Sequence, residues 1–209
     1  IEDVIQKLEI KPNQYILDAG CGIGIFEKFI AKKNIPDLKI EAVDFSESML
    51  KKAKHKLKDS QNPSVKFSLV NLNKALPYRD NLFDAIVSIN VIYALSNLNS
   101  TLREFNRILK EGGKLILSTP RPNFNGLKLY FSNIAQKRSW QKIKSLILLP
   151  FFILFTLPFE LIISLRERRG VYHRFTEESL KKFLLDSGFK NIEISYSYAD
   201  QNFLVMVNK

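Results

Sequence analysis

Cysteine and histidine are scarce: Cys21 is the one thiol among 209 residues, and His55 and His173 are the two imidazoles. A lone cysteine excludes an internal disulfide framework and fits a reducing compartment. Without a cysteine cluster there is no structural zinc site, and no metal is expected. The chain opens on an amphipathic stretch where a secreted protein would carry an apolar signal segment, although Ile1 in place of an initiator Met leaves a removed upstream segment open. Internal repeats and low-complexity tracts are also missing. Acidic residues are the scarcer charge, 21 against 32 basic ones, for a net +11. Such a balance favours nucleic acid or an anionic membrane surface as partner, or else forms a Lys-rich solvated face. An apolar fraction of 45% is ample for a core, and the length suits one α/β domain over residues 1–209.

What is present is an alternation of two patterns. Short apolar runs bounded by Gly, Pro, Asn or Asp predict strands at Tyr15–Ala19, Lys39–Val43, Val65–Val70, Phe83–Ile89 and Lys114–Thr119. Helical spacing lies between them, as in Phe26, Phe29 and Ile30, then Met49, Leu50, Ala53 and Leu57. Leu98, Leu102, Phe105, Ile108 and Leu109 continue it, with a stop predicted at Gly112-Gly113. Thr176 is a predicted N-cap for a helix over Glu177–Ser187. Runs Asn191–Tyr198 and Asn202–Val207 then read as a closing antiparallel hairpin. The pattern implies a doubly wound, seven-stranded, mainly parallel sheet covered on both faces.

The sharpest local signal is ILDAGCGIG, Ile16–Gly24, in which a buried strand runs through Asp18 into a glycine turn that opens a helix. Glycines there let backbone approach a ligand closely. A nicotinamide dinucleotide site would want G-x-G-x-x-G, but Ile25 follows Gly24. A carboxylate just before the loop also suits a cationic ligand better than a pyrophosphate. A second carboxylate, Asp44, ends the next strand twenty residues after Gly24, where it can accept ribose hydroxyls. Taken singly, either aspartate also reads as an ordinary helix N-cap.

Four blocks together resemble the class I S-adenosylmethionine (SAM)-dependent methyltransferases: ILDAGCGIG, NLNKALP at Asn71–Pro77, DNLFDAIVSINVIYAL at Asp80–Leu95 and LKEGGKLILSTPRPN at Leu109–Asn123. The resemblance takes in residues 10–123 and the closing HRFTEESLKKFLLDSGF, and it points toward quinone-pathway enzymes. It implies the Rossmann-like methyltransferase fold and SAM as methyl donor. It also implies that Asp18 holds the methionyl ammonium and that backbone at Ala19, Gly20 and Gly22 lines the methionyl part. Asp44 would take the ribose, Phe45 the adenine face, Asn71 and Leu72 the adenine edge, while Asn90 lies near the methionyl group. Two positions depart from the family: Asn71 stands where many relatives have Asp, and Tyr93-Ala94 where others have Glu-His. Cys21 reads as a packing residue, since nothing in the sequence near it would lower its pKa.

Displacement at a sulfonium mainly requires alignment of the nucleophile and exclusion of water, with a base only where the acceptor must lose a proton. His55 lies in a Lys-rich helix (KKAKHKLK) and reads as solvated. His173 and Tyr93 remain as catalytic candidates, and His173 also reads as a structural residue of its turn. Between residues 126 and 170 the α/β pattern breaks. LILLPFFILFTLPFELIISL, Leu146–Leu165, carries Glu160 as its one charge, and Leu127–Gly170 holds eight Lys or Arg against two acids. Pro150, Pro158 and Glu160 disfavour a membrane span. Two short helices with basic flanks at an anionic interface fit better, Leu127, Tyr130, Phe131 and Ile134 forming one apolar face. The competing readings are an apolar lid over the active site and a transmembrane hairpin. The sequence therefore predicts a cytoplasmic methyltransferase for a small lipophilic acceptor, peripheral at the inner membrane face through Leu127–Arg169. A nucleic-acid methyltransferase and a non-catalytic membrane-associated protein are the alternatives. The first loses because no aromatic–basic module is present, the second because both carboxylates and the loop are intact. No residue pattern specifies an oligomeric state.

Overall fold

The computed structural model describes residues 1–58, 64–122, 126–135, 148–150 and 172–209. Seven strands form one sheet: Tyr15–Ala19 (β1), Lys39–Asp44 (β2), Ser64–Leu69 (β3), Phe83–Ile89 (β4), Leu109–Pro120 (β5), Lys190–Ser197 (β6) and Asn202–Asn208 (β7). The helices are Glu2–Leu8 (α1), Ile25–Ala31 (α2), Glu47–Leu57 (α3), Leu98–Ile108 (α4), Gly126–Ala135 (α5) and Glu177–Asp186 (α6), with a 3-10 turn at Ile92–Ala94. The strand order is β3-β2-β1-β4-β5-β7-β6. The first five strands are parallel, and β7 enters antiparallel to both β5 and β6.

Alternation along the strands sorts the core into two layers. Leu17, Ile86, Leu115, Leu117 and Val205 face one side, packed with Leu102, Phe105, Leu180 and Leu184 of α4 and α6. Ile16, Ala85, Val87, Ile116 and Leu204 face the other, packed with Val4, Phe26, Ile30 and Leu50 of α1, α2 and α3. Burial on both faces is why the central strands read as continuous apolar runs rather than as alternating ones.

Helix ends follow the local chemistry. Met49 N donates to Ser46 Oγ, Ser100 N to Asn97 Oδ1 and Ser179 N to Thr176 Oγ1, each satisfying an amide of a first turn. The stop predicted at Gly112-Gly113 is misplaced. α4 ends at Ile108, and Leu109 already pairs with Phe83 in the sheet. The register then shifts so that Lys114 lies opposite Ala85. The two glycines thus serve an irregularity within β5, where Gly112 takes φ +72° and Gly113 presses against Leu109.

Of the insertion expected over residues 126–170, the structure describes α5 and residues 148–150; the rest of Leu146–Leu165 and its basic flanks lie outside the described residues. On α5 Ile134 is buried, Tyr130 is half-buried, and the exposed Phe131 ring meets it edge-on at 6.0 Å. The Leu127 side chain is outside the described set. Among the described residues, no helix is long and apolar enough to cross a membrane.

Candidate cofactor and acceptor site

The parallel register of β1 and β2 sets Asp18 opposite Ala42 and Ala19 opposite Val43, so Asp18 and Asp44 sit at neighbouring strand ends. Both are buried, at 3% and 8% exposure. Between them runs the glycine turn. Gly20 N and Cys21 N both donate to Val43 O, at 2.8 and 2.9 Å. Gly22 N donates to Asp44 Oδ2 at 2.9 Å, and Ser46 N to Asp44 Oδ1 at 2.9 Å. The turn's first amides are therefore all tied inward. A phosphate cradle needs such N–H groups free, so this loop does not offer one.

Gly20 is required by what lies across the turn. A Cβ there would come within 2.3 Å of Val91 Cγ2, and its φ is +92°. Bare backbone lets Val91, just past the end of β4, close against the end of β1.

The electrostatics are set by a cluster of buried carboxyls. Burial, then Glu27 and then Asp44 push the Asp18 carboxyl well above the usual carboxylate range. Glu27 is itself fully buried and pushed up by desolvation, and neither of its oxygens has a hydrogen-bond partner. Sequence reading missed it. The signal was available, because Glu27 lies three residues before Ile30 on the helix face that packs on the sheet, a position where a charge is out of place. Cys21 sits among the same carboxylates, and burial with their negative charge drives its thiol far above the usual range. It is a packing residue, not a nucleophile.

Other candidates divide by position. Phe45, next after Asp44, is 79% exposed. Asn71 is exposed and its Oδ1 accepts from Asn73 N at 3.0 Å, forming an Asx turn. The Leu72 side chain is turned into the core and its carbonyl accepts from Thr101 Oγ1. Ala19 is buried and its carbonyl accepts from Ser88 Oγ. Asn90, at φ +56°, ends β4 with its Oδ1 accepting from Asn202 Nδ2 at 2.7 Å and Ser118 Oγ at 3.3 Å.

Tyr93 and His173, eighty residues apart in sequence, are brought together. His173 N donates to Tyr93 O at 2.7 Å, and the Tyr172 ring stands edge-on to Tyr93 at 5.2 Å. Burial and the neighbouring phenol of Tyr172 push the Tyr93 hydroxyl above the usual value. Arg174, next after His173, donates to the carbonyl of Pro122.

A sheet of this order, with carboxylates at adjacent strand ends and a glycine turn whose amides are withheld from phosphate, defines a SAM-dependent methyltransferase domain of class I. The chain belongs to the methyltransferase domain family, whose sequence model matches residues 1–194. It is 31% identical over 131 residues to phosphoethanolamine N-methyltransferase 3 of Arabidopsis thaliana, covering 59% of this chain and 26% of that protein. It is 29% identical over 132 residues to demethylmenaquinone methyltransferase of Listeria welshimeri, covering 63% of this chain and 56% of that protein. The chain thus spans about half or less of the length of these curated relatives. Among solved structures, Haemonchus contortus phosphoethanolamine N-methyltransferase 2 in complex with SAM superposes with a TM-score of 0.69 at 16% identity, covering 100% of this chain and 51% of that one. At that identity the likeness concerns the fold.

Proposed function

We propose that this protein transfers the methyl group of SAM to a small lipophilic, membrane-associated acceptor. The bound donor supplies an electrophilic methyl on a sulfonium and a leaving group that becomes neutral on transfer. The residues present suit such a group. Asp18 takes the methionyl ammonium, with the backbone of Ala19, Gly20 and Gly22 along the methionyl chain and Asn90 near it. Asp44 keeps two of about four carboxylate acceptor positions free for the ribose diol, since two backbone amides occupy the others. Phe45 offers its exposed face to adenine, and Asn71 and the Leu72 amide its edge.

On the acceptor side, Tyr93 is held protonated by burial and orients an acceptor by donating a hydrogen bond. Base duty falls to His173, whose amide is anchored on Tyr93. The observation that supports the acceptor class is the contact of Arg174 with Pro122, which joins the chain on either side of the apolar, basic-flanked sequence next to His173. The relatives' names, one a quinone and one a phosphorylated amine, agree with an acceptor chosen outside the shared core. Peripheral docking at an anionic leaflet supports access to such an acceptor.

The test is co-sedimentation with phosphatidylglycerol vesicles and with phosphatidylcholine vesicles. The chain is expected to bind the anionic vesicles, and deletion of Leu127–Arg169 to abolish this while SAM affinity persists. Unchanged vesicle binding after the deletion refutes the acceptor reading.

A further inference from the structure

Glu27 is a buried group that the account so far leaves without a task. It projects from the sheet-facing side of α2, is 0% exposed, and has no donor for either carboxylate oxygen. A buried carboxylate in that state is tolerated only if a proton or a cation neutralises it. The groups facing it are few. Asp18 of β1, itself buried, is the carboxyl that interacts with it, and the charge of Glu27 helps to push the Asp18 carboxyl up. Asp44 of β2 acts on Asp18, and its own oxygens already accept from Gly22 N and Ser46 N. The Cys21 thiol in the turn is held neutral, and among the described residues Lys56 of α3 is the cation acting on Glu27.

We propose that Glu27 and Asp18 together hold the α-ammonium of SAM, and that in the ligand-free protein a proton shared by the two carboxyls occupies the place of that charge. The inference rests on the assignment of Asp18 to the methionyl moiety. The exchange balances: one carboxylic acid, one carboxylate and an incoming ammonium become two carboxylates around the ammonium, with one proton released to buffer. Burial and mutual repulsion raise the pair's affinity for a proton, so the pair holds it into a higher pH range than a free carboxyl would. The Lys56 charge favours the ionised product. Below the pair's titration range, SAM affinity rises with pH by up to about tenfold per unit, and it levels off once the pair is ionised.

Three ligands separate this from a merely structural pair. SAM and S-adenosylhomocysteine both carry the ammonium, and the second lacks the sulfonium; 5′-methylthioadenosine lacks the whole amino-acid part. Calorimetric titrations in buffers of different ionisation enthalpy, below the amine's own titration at about 7.7–8.0, count the protons. SAM and S-adenosylhomocysteine are expected to release up to one proton, and 5′-methylthioadenosine none. Glu27→Gln keeps the size and gives Asp18 an N–H partner, so proton release and pH dependence are expected to fall below the wild-type values, burial of Asp18 alone sustaining the remainder. Should that variant not fold, the wild-type proton count decides by itself. Release near zero with SAM and S-adenosylhomocysteine overturns the inference, as does wild-type release from Glu27→Gln. Absence of any SAM binding sinks the methyltransferase reading itself, a distinct result.

Discussion

Gly20 and Gly22 are two residues apart in one motif, yet the structure assigns them very different sensitivities to substitution. At Gly20 a Cβ would meet Val91 Cγ2 at 2.3 Å, Cγ1 at 3.1 Å and Cβ at 3.3 Å, with φ at +92°. At Gly22 a Cβ meets nothing within 4 Å, and φ is +53°, inside the left-handed well. Gly20→Ala therefore combines left-handed strain of about 1–2 kcal/mol with overpacking of about 1–3 kcal/mol. At roughly 2–4 °C per kcal/mol for a chain of this size, melting should fall by roughly 4–20 °C. Gly22→Ala bears the strain alone, about 1–2 kcal/mol, partly offset by the lower entropy of the unfolded alanine chain. The decisive comparison is a double-mutant cycle with Val91→Ala, followed by thermal and urea unfolding. Removing the Val91 methyls should recover about 1–3 kcal/mol in the Gly20→Ala background and nothing in the Gly22→Ala background. Equal losses for both glycines, or no recovery with Val91→Ala, would refute the close approach of the two strand ends.

Asp44→Ala leaves Gly22 N and Ser46 N without acceptors, so it should destabilise the fold by roughly 2–4 kcal/mol and remove SAM binding; urea unfolding and calorimetry check the two effects. Asn97→Ala and Thr176→Ala each delete an N-cap acceptor and should lower unfolding free energy by about 1 kcal/mol, with SAM affinity unchanged. Burial and Glu41 push the Tyr15 hydroxyl up to about 12, whereas an unfolded tyrosine titrates near 10. The folded form holds its proton longer, so the contribution is complete below about pH 10 and is lost as pH rises toward about 12. Tyr15→Phe should unfold less steeply with pH across that window in alkaline denaturation curves.

The strands of the central sheet were legible because burial on both faces leaves a run such as Phe83–Ile89 without polar interruptions. Tyr15–Ala19 and Phe83–Ile89 were read to the residue. The closing hairpin was legible from its turn residues, whereas the placement of β7 between β5 and β6 depends on long-range pairing that periodicity does not record. Gly112-Gly113 misled because a glycine pair ending a helix and one permitting a register shift look alike in sequence. At the site, Asp18 and Asp44 stood out as acids at the ends of apolar strands. Glu27 did not, because a glutamate in a helix is unremarkable until its phase relative to Ile30 is considered. The contact of Tyr93 with His173 joins segments on either side of the insertion, and only the fold brings them together.

Calorimetric titration of SAM into the wild-type chain and Asp18→Asn tests most directly whether the ends of β1 and β2 form the donor site. The wild type should bind one SAM per chain. Loss of a charge-assisted contact of about 1.5–3 kcal/mol should weaken the folded variant by roughly ten- to more than a hundredfold. Equal affinity in the two proteins, or no binding by either, would contradict that placement.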